Sequence, residues 1–370
     1  MRRSLLLVRK LEFEGFRNLH SGQWIPSEGV NILYGDNAQG KTNLLEACWL
    51  FTGARSFRGA KEREMIGFDA TRATLLMDFL AEEREQQACI SIEQRRTATL
   101  NGVKLSSAAR LAGHFCGMVF SPTHLSLLKD GPEGRRRFVD SAYCQLRPSY
   151  IASMAEFNKI LAQRNAFLKQ WQETHNGSDE MLEIWNHSLA AAGARLTVAR
   201  QHYIDRLQPI AQEIYGGLSG GREQLTLGWE SPVWEPSATT AEIAARWMTA
   251  FGLASRADRA AGFTTVGPHR EDMTILLDGN PARVFGSQGQ QRSVVLALKL
   301  AEATLLEEVI GEPPVAFLDD VMSELDVSRQ DYILNHIHRW QVFITCCEPS
   351  SALRMTAGKV FYIKQGVLSE

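Results

Sequence analysis

Eight residues near one end of the chain, Gly35-Asp36-Asn37-Ala38-Gln39-Gly40-Lys41-Thr42, have the types and spacing of a phosphate-binding loop. Gly35 and Gly40 let the backbone bend so that its N–H groups ring an anion, and the start of a following helix, through Asn43, adds a positive partial charge. Lys41 can reach the β- and γ-phosphates of ATP, and the Thr42 hydroxyl can ligate Mg²⁺. A metal held in this way needs an acid at a nearby strand end. Val315-Ala316-Phe317-Leu318-Asp319-Asp320 supplies it, four apolar residues followed by two carboxylates. Asp319 is the expected Mg²⁺ partner through water, and Asp320 is placed to orient or deprotonate the attacking water. A third group, Ser287-Gln288-Gly289-Gln290-Gln291-Arg292, precedes an apolar run with the length of a long helix. Serine and glycine at a helix N-terminus form an anion site. Because the loop at Lys41 already serves this chain's own nucleotide, a second phosphate-reading helix makes sense if it caps the γ-phosphate bound to another copy. The plainer reading of Ser287 is an ordinary N-capping serine.

These groups need elements to position them. Residues 30–34 read as a buried strand ending at Gly35, and a helix follows from Lys41 to about Phe51. Strand patterns recur at 5–14, 74–80, 88–93 and 117–120, and Asn101-Gly102 is a two-residue hairpin turn between 97–100 and 103–105. The middle third reads as helix. From Arg136 to Trp171 there is no glycine and one proline, Pro148, and Tyr150, Met154, Phe157, Leu161 and Leu168 mark an apolar face. After a polar loop at 173–179, Leu182, Leu189, Leu196, Tyr203 and Ile210 recur at intervals of seven, which predicts roughly 45 Å of helix. The two helices suggest an antiparallel hairpin, equally a projecting arm or part of a compact bundle. A strand at 225–229 and a helix at 241–260 complete this insert. Strands at 274–277, 315–318, 342–346 and 360–363, with helices at 294–310 and 328–339, return the pattern to α/β.

Composition narrows the function classes. The chain has 370 residues, 44% of them hydrophobic, and its 40 Lys and Arg against 42 Asp and Glu give a net charge of −2. That excludes a strongly basic nucleic-acid coat protein but leaves room for a local basic patch. No apolar run approaches ~18 residues, so no membrane span is expected. Arg2 and Arg3 precede an apolar stretch too short for a signal-peptide core. The six cysteines form no Cys-x-x-Cys pair and read as reduced thiols of a cytoplasmic protein.

The ordered set of phosphate loop, Ser-x-Gly-Gln signature, apolar-Asp-Asp strand and Ser323-Glu324-Leu325-Asp326 resembles the ABC-type ATPase heads of the structural-maintenance and Rad50 kind. The resemblance is closest to the RecF family of bacterial recombination mediators. It extends to Phe13-Glu14-Gly15-Phe16-Arg17-Asn18-Leu19, Ser56-Phe57-Arg58, Gly131-Pro132 with Arg135, Arg136, Phe138 and Asp140, then Gln163-Arg164-Asn165 and Gly267-Pro268-His269-Arg270. It implies an α/β head built from residues 1–120 and 263–370, with a mainly helical arm or second lobe at 121–262. It also implies an ATP-dependent homodimer that sandwiches nucleotide between Lys41 of one copy and Ser287 of the other. Such a dimer would act on double-stranded or gapped DNA with RecR and RecO to load RecA, with slow, DNA-stimulated hydrolysis. Three departures stand out. Asp320 takes the place of the glutamate usual in ABC heads, though RecF-like proteins share it. Ser121-Pro122-Thr123-His124-Leu125 offers no Q-loop glutamine. After Phe343-Ile344 there is no switch histidine, and Thr345 occupies the region.

DNA contacts are less sharply marked. Lys129, Arg135, Arg136, Arg137, Arg147, Lys159, Arg164 and Lys169 outnumber the acids among them, which suits phosphate contacts. The same residues also suit a solvated helix face, and Arg135 and Arg136 a structural role. Arg17, Arg55 and Arg58 could face DNA, nucleotide or a partner, and His269 and Arg270 could serve the nucleotide or simply pack. Other classes compete with a DNA clamp. A transporter ATPase would have a compact head without the helical insert. A Rad50-like tether would need longer heptads and a cysteine hook. A scaffold using ATP only as glue is compatible with Asp320.

Overall fold

A run of apolar residues without alternation belongs in a strand covered on both faces, and every residue of Val315–Leu318 (β12) is buried. The computed structural model describes residues 5–347 and 358–369, so Arg2 and Arg3 lie outside it. There β12 belongs to a six-stranded sheet in the order Val367–Ser369 (β15), Lys359–Lys364 (β14), Val30–Tyr34 (β3), Val342–Cys346 (β13), β12 and Gly117–Phe120 (β8). From β14 to β8 the pairs are parallel, and β15 returns antiparallel at the edge. Register sets Leu318 opposite Ile344 and Thr345 opposite Leu33. The exits of β3, β13 and β12 therefore stand side by side at the carboxyl edge, where open α/β sheets hold their ligands.

A second six-stranded sheet is antiparallel: Gly22–Trp24 (β2), Leu7–Glu14 (β1), Ala73–Ala81 (β4), Arg84–Ile92 (β5), Arg96–Leu100 (β6) and Val103–Lys104 (β7). Along β4 buried and half-buried residues alternate, as one covered face requires. Asn101 and Gly102 both have positive φ, the geometry a two-residue hairpin needs. Helix α1 (Lys41–Trp49) shares one core with both sheets, Leu44, Leu45 and Cys48 packing with Trp24, Phe79, Phe317 and Phe343.

The chain forms two compact units. The first comprises the chain up to Ser126, Ile210–Glu223 and the chain from Ser287 onward. Besides both six-stranded sheets and α1 it holds Gln288–Ile310 (α7), buried on nearly every side along its middle, and Val327–His336 (α8). The second, Leu127–Pro209 with Gln224–Gly286, contains Pro132–Leu146 (α2), Ser149–Thr174 (α3), Thr240–Ala261 (α5) and the short Ala282–Phe285 (α6). Its sheet is Asn280–Pro281 (β11), Asp272–Leu277 (β10) and Leu225–Glu230 (β9). Asp179–Ser219 (α4) has its residues up to Pro209 in this unit and the rest in the first.

The expected boundaries at 120 and 262 thus shift. Residues 263–286 fold with the second unit because β10 pairs antiparallel with β9 over six positions, Asp272 opposite Glu230 through Leu277 opposite Leu225. Residues 210–223 fold with the first. The single helix expected over 136–171 is two, α2 and α3. Pro148 has no N–H to continue α2, and it disfavours helical backbone at Arg147, whose ψ is 85°. Of the seven-residue stripe of α4, Leu182, Leu189, Leu196 and Tyr203 are buried and Ile210 is half-buried. Among the described residues no helix is long and apolar enough to cross a membrane, and all six cysteines are free.

Candidate nucleotide site

The loop from Gly35 to Gly40 follows β3 directly. A Cβ at Gly35, where φ is +153°, would lie 2.3 Å from the Ile363 carbonyl oxygen, and one at Gly40, φ +120°, 2.9 Å from Leu19 Cδ2. Both positions therefore require glycine. Lys41 is buried, and its Nζ donates to the carbonyl oxygens of Gly35 at 2.6 Å and Asp36 at 3.4 Å, with Cys347 Sγ at 3.6 Å. Asn37 accepts from Cys347 Sγ at 3.2 Å. The Asn18 amide donates to the Ala38 carbonyl at 3.0 Å, and Gln39 accepts the Gln365 and Gly366 N–H groups. The loop is thus fastened to β14, β15 and the turn after β1.

Thr42 Oγ1 donates to Asp319 Oδ1 at 2.8 Å, across 277 positions of sequence. Thr345 Oγ1 donates to the same oxygen at 3.0 Å and accepts the Asp320 N–H at 2.8 Å. Burial pushes the Asp319 carboxyl above its ordinary pKa; the two hydroxyls oppose this, Asp320 adds to it, and Arg58 opposes it. A hydroxyl and a carboxylate are hard oxygen donors of the kind Mg²⁺ takes when phosphates and water complete its shell. Among the described residues no closed cluster of three or more His, Cys, Asp or Glu competes for a metal. The arrangement fits a cation shared with a phosphate ligand.

Ser287 begins α7 in a capping box: its Oγ accepts the Gln290 N–H at 3.2 Å, and Gln290 Oε1 accepts the Ser287 N–H at 2.6 Å. Gln290 Nε2 in turn donates to Glu223 at 2.6 Å, and Arg329 donates to the Gly289 carbonyl at 2.9 Å. The N-capping role weighed for Ser287 is therefore real. Ser287 and Gln288 also face solvent, open to a second molecule.

The model of the RecF/RecN/SMC N terminal domain matches residues 7–367. DNA replication and repair protein RecF of Acetivibrio thermocellus is 34% identical over 97% of this chain and 98% of its own length, and that of Agathobacter rectalis is 36% identical over 98% of each. This chain belongs to the RecF family. A solved structure of the recombination mediator protein RecF-ATPrS in the RecFOR pathway superposes with a TM-score of 0.93 at 34% identity, covering 99% of this chain and 98% of that one. An Smc head solved with the C-winged helix domain of ScpA gives 0.54 at 15% identity, covering 98% and 96%, which speaks for the fold alone. The α/β ABC-type head expected from the motifs is the fold this chain has.

The family's N-terminal motifs brace α1. Arg17 forms an ion pair with buried Glu46 at 2.9 Å and donates to the Glu64 carbonyl; the Ser56 hydroxyl bonds the same Glu46. Asn43 donates to Asn18 at 2.6 Å and accepts from Arg58 at 2.7 Å. Arg17, offered from sequence as a DNA contact, is thus engaged in holding the helix of the phosphate loop. In the second unit Arg135 is buried against Asp272 at 2.7 Å, Arg136 donates to the Glu271 carbonyl, and Arg164 is paired with Asp258, both fully buried. Those three leave the basic patch, and Lys129, Arg137, Arg147, Lys159 and Lys169 remain exposed. Arg137 and Lys169 have Glu133 and Glu173 one helical turn away. His269 meets the Thr264 carbonyl at 3.1 Å and lies beside Phe157; burial pulls it down to about 4, so it packs as a neutral ring.

Sequence reasoning missed Glu46, Glu223 and the work of Thr345. The first two are single acids inside helical or loop stretches with no motif of their own. Thr345 carried one legible signal: it ends an apolar strand as Asp319 does.

Proposed function

We propose that the chain binds ATP with Mg²⁺ in the loop at Lys41 and uses it to dimerise on double-stranded or gapped DNA during recombinational repair and replication-fork maintenance. The observation that carries this reading is the bond from Thr42 to Asp319, which joins phosphate loop and acid at one strand edge in a family whose solved members include RecF-ATP. Lys41 leaves its carbonyl partners for the β- and γ-phosphates. Thr42, with Asp319 through water, would hold the cation, whose chemistry when bound would be charge neutralisation on the phosphates. Asp320 orients the attacking water, and Ser287 with Gln288, Gly289 and Gln290 of a second copy meets the γ-phosphate. Hydrolysis is weak, stimulated by DNA, and serves release. The partners are RecR directly and RecO and RecA through it, in the cytoplasm. Exposed Arg137, Lys159 and Lys169 are the DNA contacts in this reading, with Arg58 beside the nucleotide.

The test is fluorescence anisotropy on a gapped duplex with ATP, with ADP and without nucleotide. ATP should tighten binding by the wild-type chain and leave Lys41→Met unmoved, because the ammonium is the main charge partner of the phosphates. Equal affinity in all three conditions for the wild type would overturn the reading.

A further inference from the structure

Thr345 has no part in the phosphate loop or the acid pair, yet its hydroxyl is bonded to both members of that pair. It ends β13, the strand between β3 and β12, and is 1% exposed. Its single hydrogen goes to Asp319 Oδ1 at 3.0 Å, and its oxygen accepts the Asp320 N–H at 2.8 Å. A hydroxyl offers one donor and two acceptor lone pairs, so this pair of bonds fixes its direction. Thr42 donates to that same Oδ1 at 2.8 Å. Two hydroxyls on one oxygen restrict rotation of the carboxylate. Asp320 has φ +50°, a left-handed backbone uncommon outside glycine, and its N–H is anchored on Thr345. One side chain thus sets the orientation of Asp319 and the turn that carries Asp320.

We infer that Thr345 is a positioning residue for the metal, fixing the carboxylate that receives Mg²⁺ and the backbone of the acid beside it. The inference rests on the reading of the site as a Mg²⁺-ATP site. Mg²⁺ demands near-octahedral geometry and gives up its waters reluctantly, so a carboxylate free to rotate serves it poorly. Groups that orient a metal's ligands without touching the metal commonly change metal affinity tenfold to a hundredfold. A purely structural threonine would lower stability on substitution and leave the response to metal alone.

The experiment measures the affinity of the full chain for a fluorescent ATP analogue in Mg²⁺ and in EDTA, the ratio giving the gain due to metal. Thr345→Val, of the same shape without the hydroxyl, should lose about tenfold to a hundredfold of that gain. Its affinity in EDTA, which depends on Lys41 and the loop N–H groups, should stay near wild type. Thr345→Ser should restore the gain. Thr345→Cys, a weaker donor, should fall between them and serves where the valine variant does not fold. A wild-type gain in Thr345→Val, or in Thr345→Cys where valine fails, overturns the assignment alone. A wild-type chain with no gain from Mg²⁺ overturns both the nucleotide reading and this assignment with it.

Discussion

The buried charged groups at the site have polar partners. Lys41 Nζ rests on backbone carbonyls, and Asp319 accepts two hydroxyls, so neither charge is stranded in the low-dielectric strand edge. Asp320 differs: its side chain is free of the bonds that fix Asp319, its backbone is left-handed, and it is half-buried. Those features suit a group that works on solvent. Asp320→Asn keeps the size, and asparagine tolerates the left-handed backbone. Phosphate release by this variant should fall about a hundredfold or more, the usual worth of a positioned acid or base. ATP binding should persist, and the ATP-bound dimer should outlive that of the wild type. Unchanged turnover would assign the water to another group.

At the scale of elements, legibility followed how local the determining contacts are. β3, β12 and β13 were readable because each is a short apolar run, and the strand-to-helix change at Gly35–Lys41 is written in adjacent residues. The partner of β10 was not readable, because its pairing with β9 joins residues about forty to fifty positions apart in sequence. Pro148 is visible in the sequence, and its missing N–H and the restriction it places on Arg147 outweigh the helical pattern on both sides. Arg17 and Arg164 looked like candidates for an external ligand because a sequence shows their charge but not Glu46 or Asp258. The Arg164–Asp258 pair, at 2.8 Å with Asn186 and Thr264 also on the guanidinium, joins α3 to α5. Arg164→Ala strands a buried carboxylate and should cost about 3–5 kcal/mol. Urea unfolding of Arg164→Ala and of Arg164→Met with Asp258→Leu checks this: the double variant should recover most of the loss, and equal destabilisation of the two would show that the charge pairing is not the cause.

For the whole molecule, a net charge of −2 gives weak long-range attraction to DNA, so in the proposed reading affinity would come from local exposed basic residues and from their duplication in a dimer. Each phosphate contact releases counterions, so log affinity should fall linearly with log salt, by about 0.9 per contact on duplex. Replacing Lys159 and Lys169 together by Ala should flatten that slope and weaken all sequences alike, with ATP binding unaltered. An unchanged slope would move the DNA site to the unit that carries Arg58.

The claim on which the rest depends is that ATP joins two copies through Lys41 of one and Ser287 of the other. Light scattering on the wild-type chain and on Ser287→Arg, with and without ATP and Mg²⁺, measures it directly. The wild type should double its mass only with ATP. Ser287→Arg should bind nucleotide as tightly and remain a monomer, because the added side chain stands on the exposed helix start offered to the other copy. A Ser287→Arg chain that doubles its mass with ATP as the wild type does would contradict the account.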